Sequence, residues 1–164
     1  QSKNVVKIGV IGFFSRPKVI IRNPNATRPW QHVLEPLSGY LLIGQKLLEE
    51  KVEYAEAWNF GPSDSGNITV KAVVENVKKY WDAIDYEIKQ EENQLHEANL
   101  LKLDCSKAHY KLKWKDVWDS ETTFKKTVEW YKAFYENNKV MTEYDLETYI
   151  NDAAQNNIIW VKKI

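Results

Sequence analysis

A cluster of side chains suited to phosphate recognition lies early in the chain, in a stretch rich in Asn and Pro. Arg22, Arg28, Trp30 and His32 fall within it. A guanidinium presents a planar fork of donors that matches phosphate oxygens, and a flat indole ring can pack on a sugar or a base. The chain has 23 basic residues, of which only three are arginines. The stretch therefore suggests a nucleotide-diphosphate site; the structural alternatives are a local Arg–Glu35 ion pair and chance in a Lys-biased composition.

Two shorter patterns imitate dinucleotide and dehydrogenase chemistry. Gly9 and Gly12 follow an apolar run, but a dinucleotide-binding turn needs a third glycine, and this stretch continues Phe-Phe-Ser-Arg-Pro. Tyr135 and Lys139 have the spacing of a tyrosine–lysine pair, in which the cation lowers the pKa of the phenol. Such a two-letter pattern arises easily in a chain with nine Tyr and many Lys. We interpret both patterns as structural.

The cysteine and histidine positions favour no reactive centre. Cys105 precedes His109 by one helical turn, which could bring the two side chains together. A reactive thiolate also needs an orienting third group, so a buried structural cysteine is the favoured interpretation. The three histidines lack metal-ligand spacing, and we predict no metal site. One cysteine and no recognisable signal peptide favour the cytoplasm.

Composition excludes several classes of function. The 23 acidic residues balance the 23 basic ones, which argues against nucleic-acid binding through a basic field and against a polybasic membrane anchor. No apolar run approaches the roughly 20 residues of a membrane helix. With 43% apolar and 13% aromatic residues in 164, the chain can bury a core.

Hydrophobic periodicity gives the elements that must position the cluster. We predict helices over 35–50 and 69–81, a short helix opened by Asp104 and Ser106, and two helices in the last third, the second capped by Thr142. Strands are predicted at 18–22, 57–60, 85–89 and 100–103, and residues 23–29 as a loop. The polar residues 136–139 read as a linker. The sum is a mostly helical α/β unit with short strands.

The chain resembles the carboxyl-terminal half of CDP-glucose 4,6-dehydratases, a family of extended short-chain dehydrogenase/reductases. The most specific run is RNPNATRPWQHVLEPLSGYLL, starting at Arg22. Further matching runs are AEAWNFGPSD at 55–64, HEANLLKLDCSKA at 96–108, KLKWKDVW at 111–118 and TVEWYKAFY at 127–135. The resemblance covers residues 19–135. It divides the chain into a poorly matched segment, 1–18, a nucleotide-sugar substrate-binding domain, 19–136, and an additional helical tail, 137–164.

The resemblance implies a two-part enzyme of which this chain is one part. The missing Rossmann domain would bind NAD and carry the catalytic tyrosine and lysine, so we expect no cofactor in this chain and no activity alone. The family is a lyase: it oxidises C4 of CDP-glucose, eliminates water across C5 and C6, and returns the hydride to C6. The product is CDP-4-keto-6-deoxyglucose, a precursor for polysaccharides.

The resemblance also implies substrate contacts. Arg28 occupies the place of an Arg on the substrate pyrophosphate, and Trp30 and His32 help to shape the same pocket. Asn59 lies at a strand end beside the cleft, and His96 and Glu97 fall on the loop that covers the nucleotide. Arg22 is a weaker candidate. Asn99 and Leu100 depart from the family pattern, in which His and Tyr are expected.

Three functions stay open at this point. The first is the substrate-binding portion of a CDP-glucose 4,6-dehydratase, inactive alone. The second is a non-enzymatic remnant or interaction module that pairs with a separate Rossmann domain or with itself. The third is a fragment of an enzyme acting on another nucleotide sugar, such as an epimerase.

Overall fold

The computed structural model describes residues 18–89 and 99–161. These residues contain four short strands and four helices, in the chain order β1 (Val19–Ile21), β2 (Thr27–Pro29), α1 (Leu34–Leu48), β3 (Asn67–Thr69), α2 (Val70–Tyr80), β4 (Tyr86–Ile88), α3 (Ser120–Asn137) and α4 (Thr142–Gln155). Short helical turns occupy connections at Val52–Tyr54, Asp64–Gly66, Ala108–Leu112 and Ile159–Val161. The predicted class, α/β and mostly helical with short strands, is confirmed.

The strands form two small pairs that rely on the helices for support. β1 lies parallel to β4, and β2 lies antiparallel to β3 with Arg28 opposite Ile68. The other edge of β2 is bridged at Thr27, whose N–H donates to the carbonyl of Asn99 at 2.8 Å. An isolated two-stranded pair is marginal in water, so packing against helices has to stabilise each one.

Helix boundaries follow from local capping chemistry. The Thr69 hydroxyl accepts a hydrogen bond from the Ala72 N–H at 3.2 Å, and the Asp119 carboxylate accepts one from Thr122 at 2.8 Å. These caps satisfy backbone donors that the first turns of α2 and α3 leave free. α3 ends at Asn137, and the next residue, Asn138, adopts the left-handed conformation common just after helix ends.

The core lies between α1 and the segment that precedes α3. It is built from Leu42, Phe60, Ala108, Leu112 and Trp114. The Phe60 ring makes an edge contact with Trp114 at a centroid distance of 5.0 Å. A Cβ added to Gly39 would lie 2.4 Å from the Phe60 ring, so a residue without a side chain is what allows Phe60 to reach α1.

Two predicted strands are absent from the described residues. Residues 57–60 are irregular because side chains, and not a neighbouring strand, bind their carbonyls: Lys107 donates to Ala57 and Gln31 to Phe60. Residues 100–103 make only the isolated bridge from Leu100 to Thr27. Strand prediction failed at both places because apolar composition does not supply a partner strand: residues 57–60 have none, and the leucines of residues 100–103 are exposed.

Two other predictions were wrong in detail. Thr27–Pro29, expected within a loop, forms β2 because β3 supplies a partner and Pro29 closes the strand, where its missing N–H costs least. Thr142 does not cap α4: its hydroxyl accepts from the indole N–H of Trp130 at 3.0 Å, and no side chain caps the start of this helix.

The region predicted as an additional helical tail contributes α4, which packs against the rest of the described chain. Asp145 of α4 forms a buried ion pair with Lys126 of α3 at 3.4 Å. Asp152 accepts a hydrogen bond from the Trp118 indole at 2.7 Å. Tyr149 and Ala153 of the same helix are buried. α4 is therefore part of the folded unit.

Candidate functional site

Arg28 lies at the centre of β2, which is flanked by β3 and by residues 99–101. The side chain is half-buried, and its Nη1 donates to the Thr27 carbonyl at 2.9 Å. The strand therefore fixes the backbone of the predicted phosphate-binding arginine. Arg22 follows β1 and is exposed.

Trp30 and Gln31 anchor the connection between β2 and α1. The Trp30 indole N–H donates to the Ile68 carbonyl at 3.2 Å, and its backbone N–H donates to Gly66 at 3.0 Å. The Gln31 amide donates to the Phe60 carbonyl at 2.9 Å. These bonds hold the connection against two neighbours: the Gly66 turn with β3 behind it, and Phe60, the residue after Asn59.

His32 is a core residue. The residue is 9% exposed, and its ring meets that of Trp118 edge-on at a centroid distance of 4.8 Å. Its Nδ1 accepts from the Leu34 N–H at 3.3 Å. Burial, assisted by the positive charge of Lys126, lowers the pKa of His32 from 6.5 to about 4. The imidazole is thus neutral at pH 7 and supports the start of α1.

The remaining predicted contacts lie apart from this connection. Asn59 is exposed, and its amide donates to the Asp104 carbonyl at 3.1 Å. His96 and Glu97 lie outside the described residues. Arg28 thus lies on β2, and Trp30 and His32 lie on the connection that follows it. Asn59 precedes Phe60, whose carbonyl accepts the hydrogen bond from Gln31 of this connection.

A buried carboxylate, considered in the sequence analysis only as a partner for a nearby arginine, joins the start of α1 to two other segments. Glu35, in the first turn of α1, is fully buried. Its Oε1 accepts from the Trp118 N–H at 2.9 Å, and its Oε2 accepts from the Val117 N–H at 3.0 Å and the Tyr149 hydroxyl at 2.7 Å. Glu35 is therefore not available to the local arginine pair considered above.

The electrostatics of Glu35 follow from burial. Loss of water raises the pKa of the carboxyl, while the hydrogen bonds from Tyr149, Trp118 and Val117 oppose that rise. The same burial raises the pKa of the Tyr149 phenol. A carboxylate flanked by Leu34 and Pro36 at a helix start looks like an ordinary exposed first-turn acid, and only the tertiary partners reveal its role.

The other motifs are structural in the described residues. Cys105 is buried, and burial raises the pKa of its thiol, which disfavours the reactive thiolate. His109 is exposed and stacks on Trp114. Tyr135 is half-buried and stacks on Tyr131. Gly9 and Gly12 lie outside the described residues.

No group of three or more His, Cys, Asp and Glu side chains within 18–89 and 99–161 is placed to hold a metal ion. No helix in these ranges is long and apolar enough to cross a membrane.

Comparison with known proteins identifies a close relative over part of its length. No protein-family model matches the chain. This chain is 45% identical over 122 residues to the CDP-glucose 4,6-dehydratase of Salmonella typhimurium. The match covers 74% of this chain and 34% of the relative, so the chain spans about a third of that protein. The resemblance predicted from RNPNATRPWQHV and the later runs is confirmed.

Proposed function

We propose that this chain is the substrate-binding part of a CDP-glucose 4,6-dehydratase, a lyase that converts CDP-glucose to CDP-4-keto-6-deoxyglucose. The observation that carries the proposal is the 45% identity over 122 residues. Because the match covers only 34% of the relative, we infer that the chain alone is inactive and binds no NAD. A cytoplasmic location is part of the same proposal.

The geometry of β2 supports a role for Arg28 in binding the diphosphate. Pairing of β2 on both edges fixes the backbone from which the Arg28 side chain extends, and the bond from Nη1 to the Thr27 carbonyl restrains the side chain, so less conformational entropy is lost on binding. A charge-assisted contact between arginine and phosphate contributes about 1.5–3 kcal/mol. Two hydrogen bonds hold Trp30 in place, and the buried His32 supports the connection between β2 and α1. Arg22, Asn59, His96 and Glu97 are the further proposed contacts.

Titration of the chain with CDP-glucose, followed by NMR shifts, tests this proposal. We expect weak binding, because the chain spans a third of the relative and provides correspondingly few contacts. Arg28→Ala should weaken it at least about tenfold, and Arg28→Lys by less, because the charge remains while the fork is lost. Lys125→Ala, which removes an exposed cation on α3, is the matched control and should change nothing.

Four outcomes decide between the alternatives. The absence of shifts at millimolar CDP-glucose would overturn the proposal, as would equal binding by wild type and Arg28→Ala. Tighter binding of UDP-, GDP- or dTDP-glucose than of CDP-glucose would favour an enzyme for another nucleotide sugar. A response to NAD would contradict the inferred lack of a cofactor site.

An exposed apolar face on α1 favours a second function, as a module that docks a catalytic partner. Val33, Leu37, Leu41 and Leu48 recur at helical spacing, and Leu41 and Leu48 are 75% and 89% exposed. Contiguous exposed apolar surface is uncommon in monomers. The relative has about two thirds of its length outside the match, which makes that unmatched portion the favoured occupant over a second copy.

Sedimentation velocity with and without the unmatched portion of the Salmonella enzyme tests this second function. A complex that Leu41→Lys abolishes, and that the control Lys125→Ala leaves intact, would support it. If a second copy of this chain covered the apolar face of α1 instead, the chain alone would form concentration-dependent dimers. A strict monomer that forms no complex would overturn it.

A further inference from the structure

The buried carboxylate of Glu35 joins three segments that are distant in sequence. It belongs to α1, its amide partners Val117 and Trp118 precede α3, and its phenol partner Tyr149 lies on α4. All three donors are neutral groups. Ser38, one turn further along α1, accepts from the Trp114 indole at 2.9 Å and extends the same network. Burying a carboxylate costs free energy unless such donors satisfy it, so the arrangement is specific to the docked position of α4.

A continuous set of contacts runs from α4 to the connection that carries Trp30 and His32. The Trp118 ring meets the Tyr149 ring edge-on at 5.0 Å and the His32 ring at 4.8 Å, and its indole donates to Asp152. The Glu35 N–H donates to the His32 carbonyl at 3.0 Å. Displacement of α4 would therefore remove support from both the side chain and the backbone of His32.

We propose that Glu35 is a positioning residue through which docking of α4 holds the β2–α1 connection, residues 30–33, in its binding conformation. Its relevance to ligand affinity rests on the proposed function, whereas the coupling itself does not. The proposal assigns a role to α4, which lies outside the residues 19–135 covered by the resemblance: α4 stabilises the conformation of the candidate site.

Hydrogen exchange on the full chain tests the coupling without any ligand. Tyr149→Phe keeps the ring and removes one donor to Glu35. We expect exchange of the amides in residues 30–35 and 117–118 to accelerate about five- to tenfold, the factor for loss of one hydrogen bond. Tyr144→Phe, at an exposed tyrosine of the same helix, is the matched control and should leave these amides unchanged.

A second substitution separates coupling from general destabilisation. Glu35→Gln keeps the shape of the side chain but replaces one acceptor with a donor, so it should accelerate the same amides. The double variant with Tyr149→Phe should show less than the product of the two single effects, because both remove the same interaction. Equal acceleration throughout α2 and α3, no acceleration, or fully multiplicative effects would overturn the proposal.

Ligand binding gives an independent arm. If the wild type binds CDP-glucose, Tyr149→Phe should weaken binding about three- to tenfold under conditions where the variant is fully folded, with Tyr144→Phe unchanged. If Tyr149→Phe accelerated amide exchange but left the affinity for CDP-glucose unchanged, the proposed control of the site by α4 would be wrong. If the wild type binds nothing, the proposed function fails and the exchange experiment alone decides the coupling.

Discussion

The two sides of α1 differ in a way that reverses the usual arrangement of an amphipathic helix. The fully buried residues are Glu35, Ser38, Gly39 and Leu42, of which only one is a large apolar residue, and Ile43 packs half-buried against the same core. The exposed side carries Leu37, Tyr40, Leu41 and Leu48. Aromatic rings from other segments fill the space on the buried side, and small or hydrogen-bonding residues are what allow those rings to approach.

This difference separates two roles within one helix. The buried side fixes α1 to Phe60, Trp114 and Tyr149 through close packing and specific hydrogen bonds. The exposed side contributes little to the stability of this chain, because its side chains remain in water. Substitutions on the two sides should therefore have different consequences for stability, and the predictions below test that difference.

The largest expected effect is a pH dependence that originates on the buried side, at His32. Its pKa is about 4 in the folded state and 6.5 when solvated, so the unfolded chain binds the proton more tightly. The stabilisation is fully present above pH 6.5 and is lost as the pH falls towards 4. The window of about 2.5 pH units corresponds to about 3 kcal/mol of unfolding free energy.

Urea unfolding of wild type and His32→Asn between pH 4 and 7 measures this contribution. The Asn side-chain oxygen can still accept from the Leu34 N–H, but it does not titrate in this range. The difference in unfolding free energy between the two proteins should change by about 3 kcal/mol across the series. Parallel profiles would show that His32 is not the titrating group.

Glu35 should give the opposite slope in the same experiment. Burial raises its pKa above the ordinary value of 4.5, so the folded protein binds this proton more tightly than the unfolded chain does. The corresponding stabilisation is present below pH 4.5 and is lost as the pH rises through the folded pKa. The two slopes partly cancel in the wild type. The stability of His32→Asn should therefore rise less steeply with pH than that of the wild type, because the Glu35 contribution remains while the His32 contribution is lost.

The α1 helix itself was predictable from sequence, whereas its orientation was not. The spacing of Leu37, Leu41 and Leu48 predicted a helix over 35–50, and the structure has one from Leu34 to Leu48. The same periodicity ordinarily marks the face that packs on a core. Here the rings of Phe60 and Trp114 come from distant segments, so no local pattern could show which side would be buried.

The candidate site was predictable to the extent that it is local in sequence. Arg28, Trp30 and His32 could be grouped because they share one connection, and the resemblance that they carry is confirmed. Glu35 and Tyr149 are 114 residues apart, and their hydrogen bond depends on how α4 docks. The burial of His32 likewise depends on Trp118, which no spacing rule connects to it.

A smaller effect separates the two glycines of α1. A Cβ at Gly39 would lie 2.4 Å from the Phe60 ring, whereas a Cβ at Gly44 would meet nothing within 4 Å. The Phe60 ring cannot easily withdraw, because Tyr40 and Trp114 contact it on either side. We expect Gly39→Ala to destabilise the protein by about 1–2 kcal/mol, the overpacking cost reduced by the better helix propensity of Ala.

Gly44→Ala is the matched control in the same helix, and it should stabilise the protein by about 0.5–1 kcal/mol. Neither glycine has a positive φ, so the substitutions introduce no backbone strain and the outcome depends on the space around each Cβ. Urea unfolding at pH 7 measures both variants. If both substitutions stabilised the protein equally, the close approach of Phe60 to α1 would be wrong, and with it the assignment of the buried side.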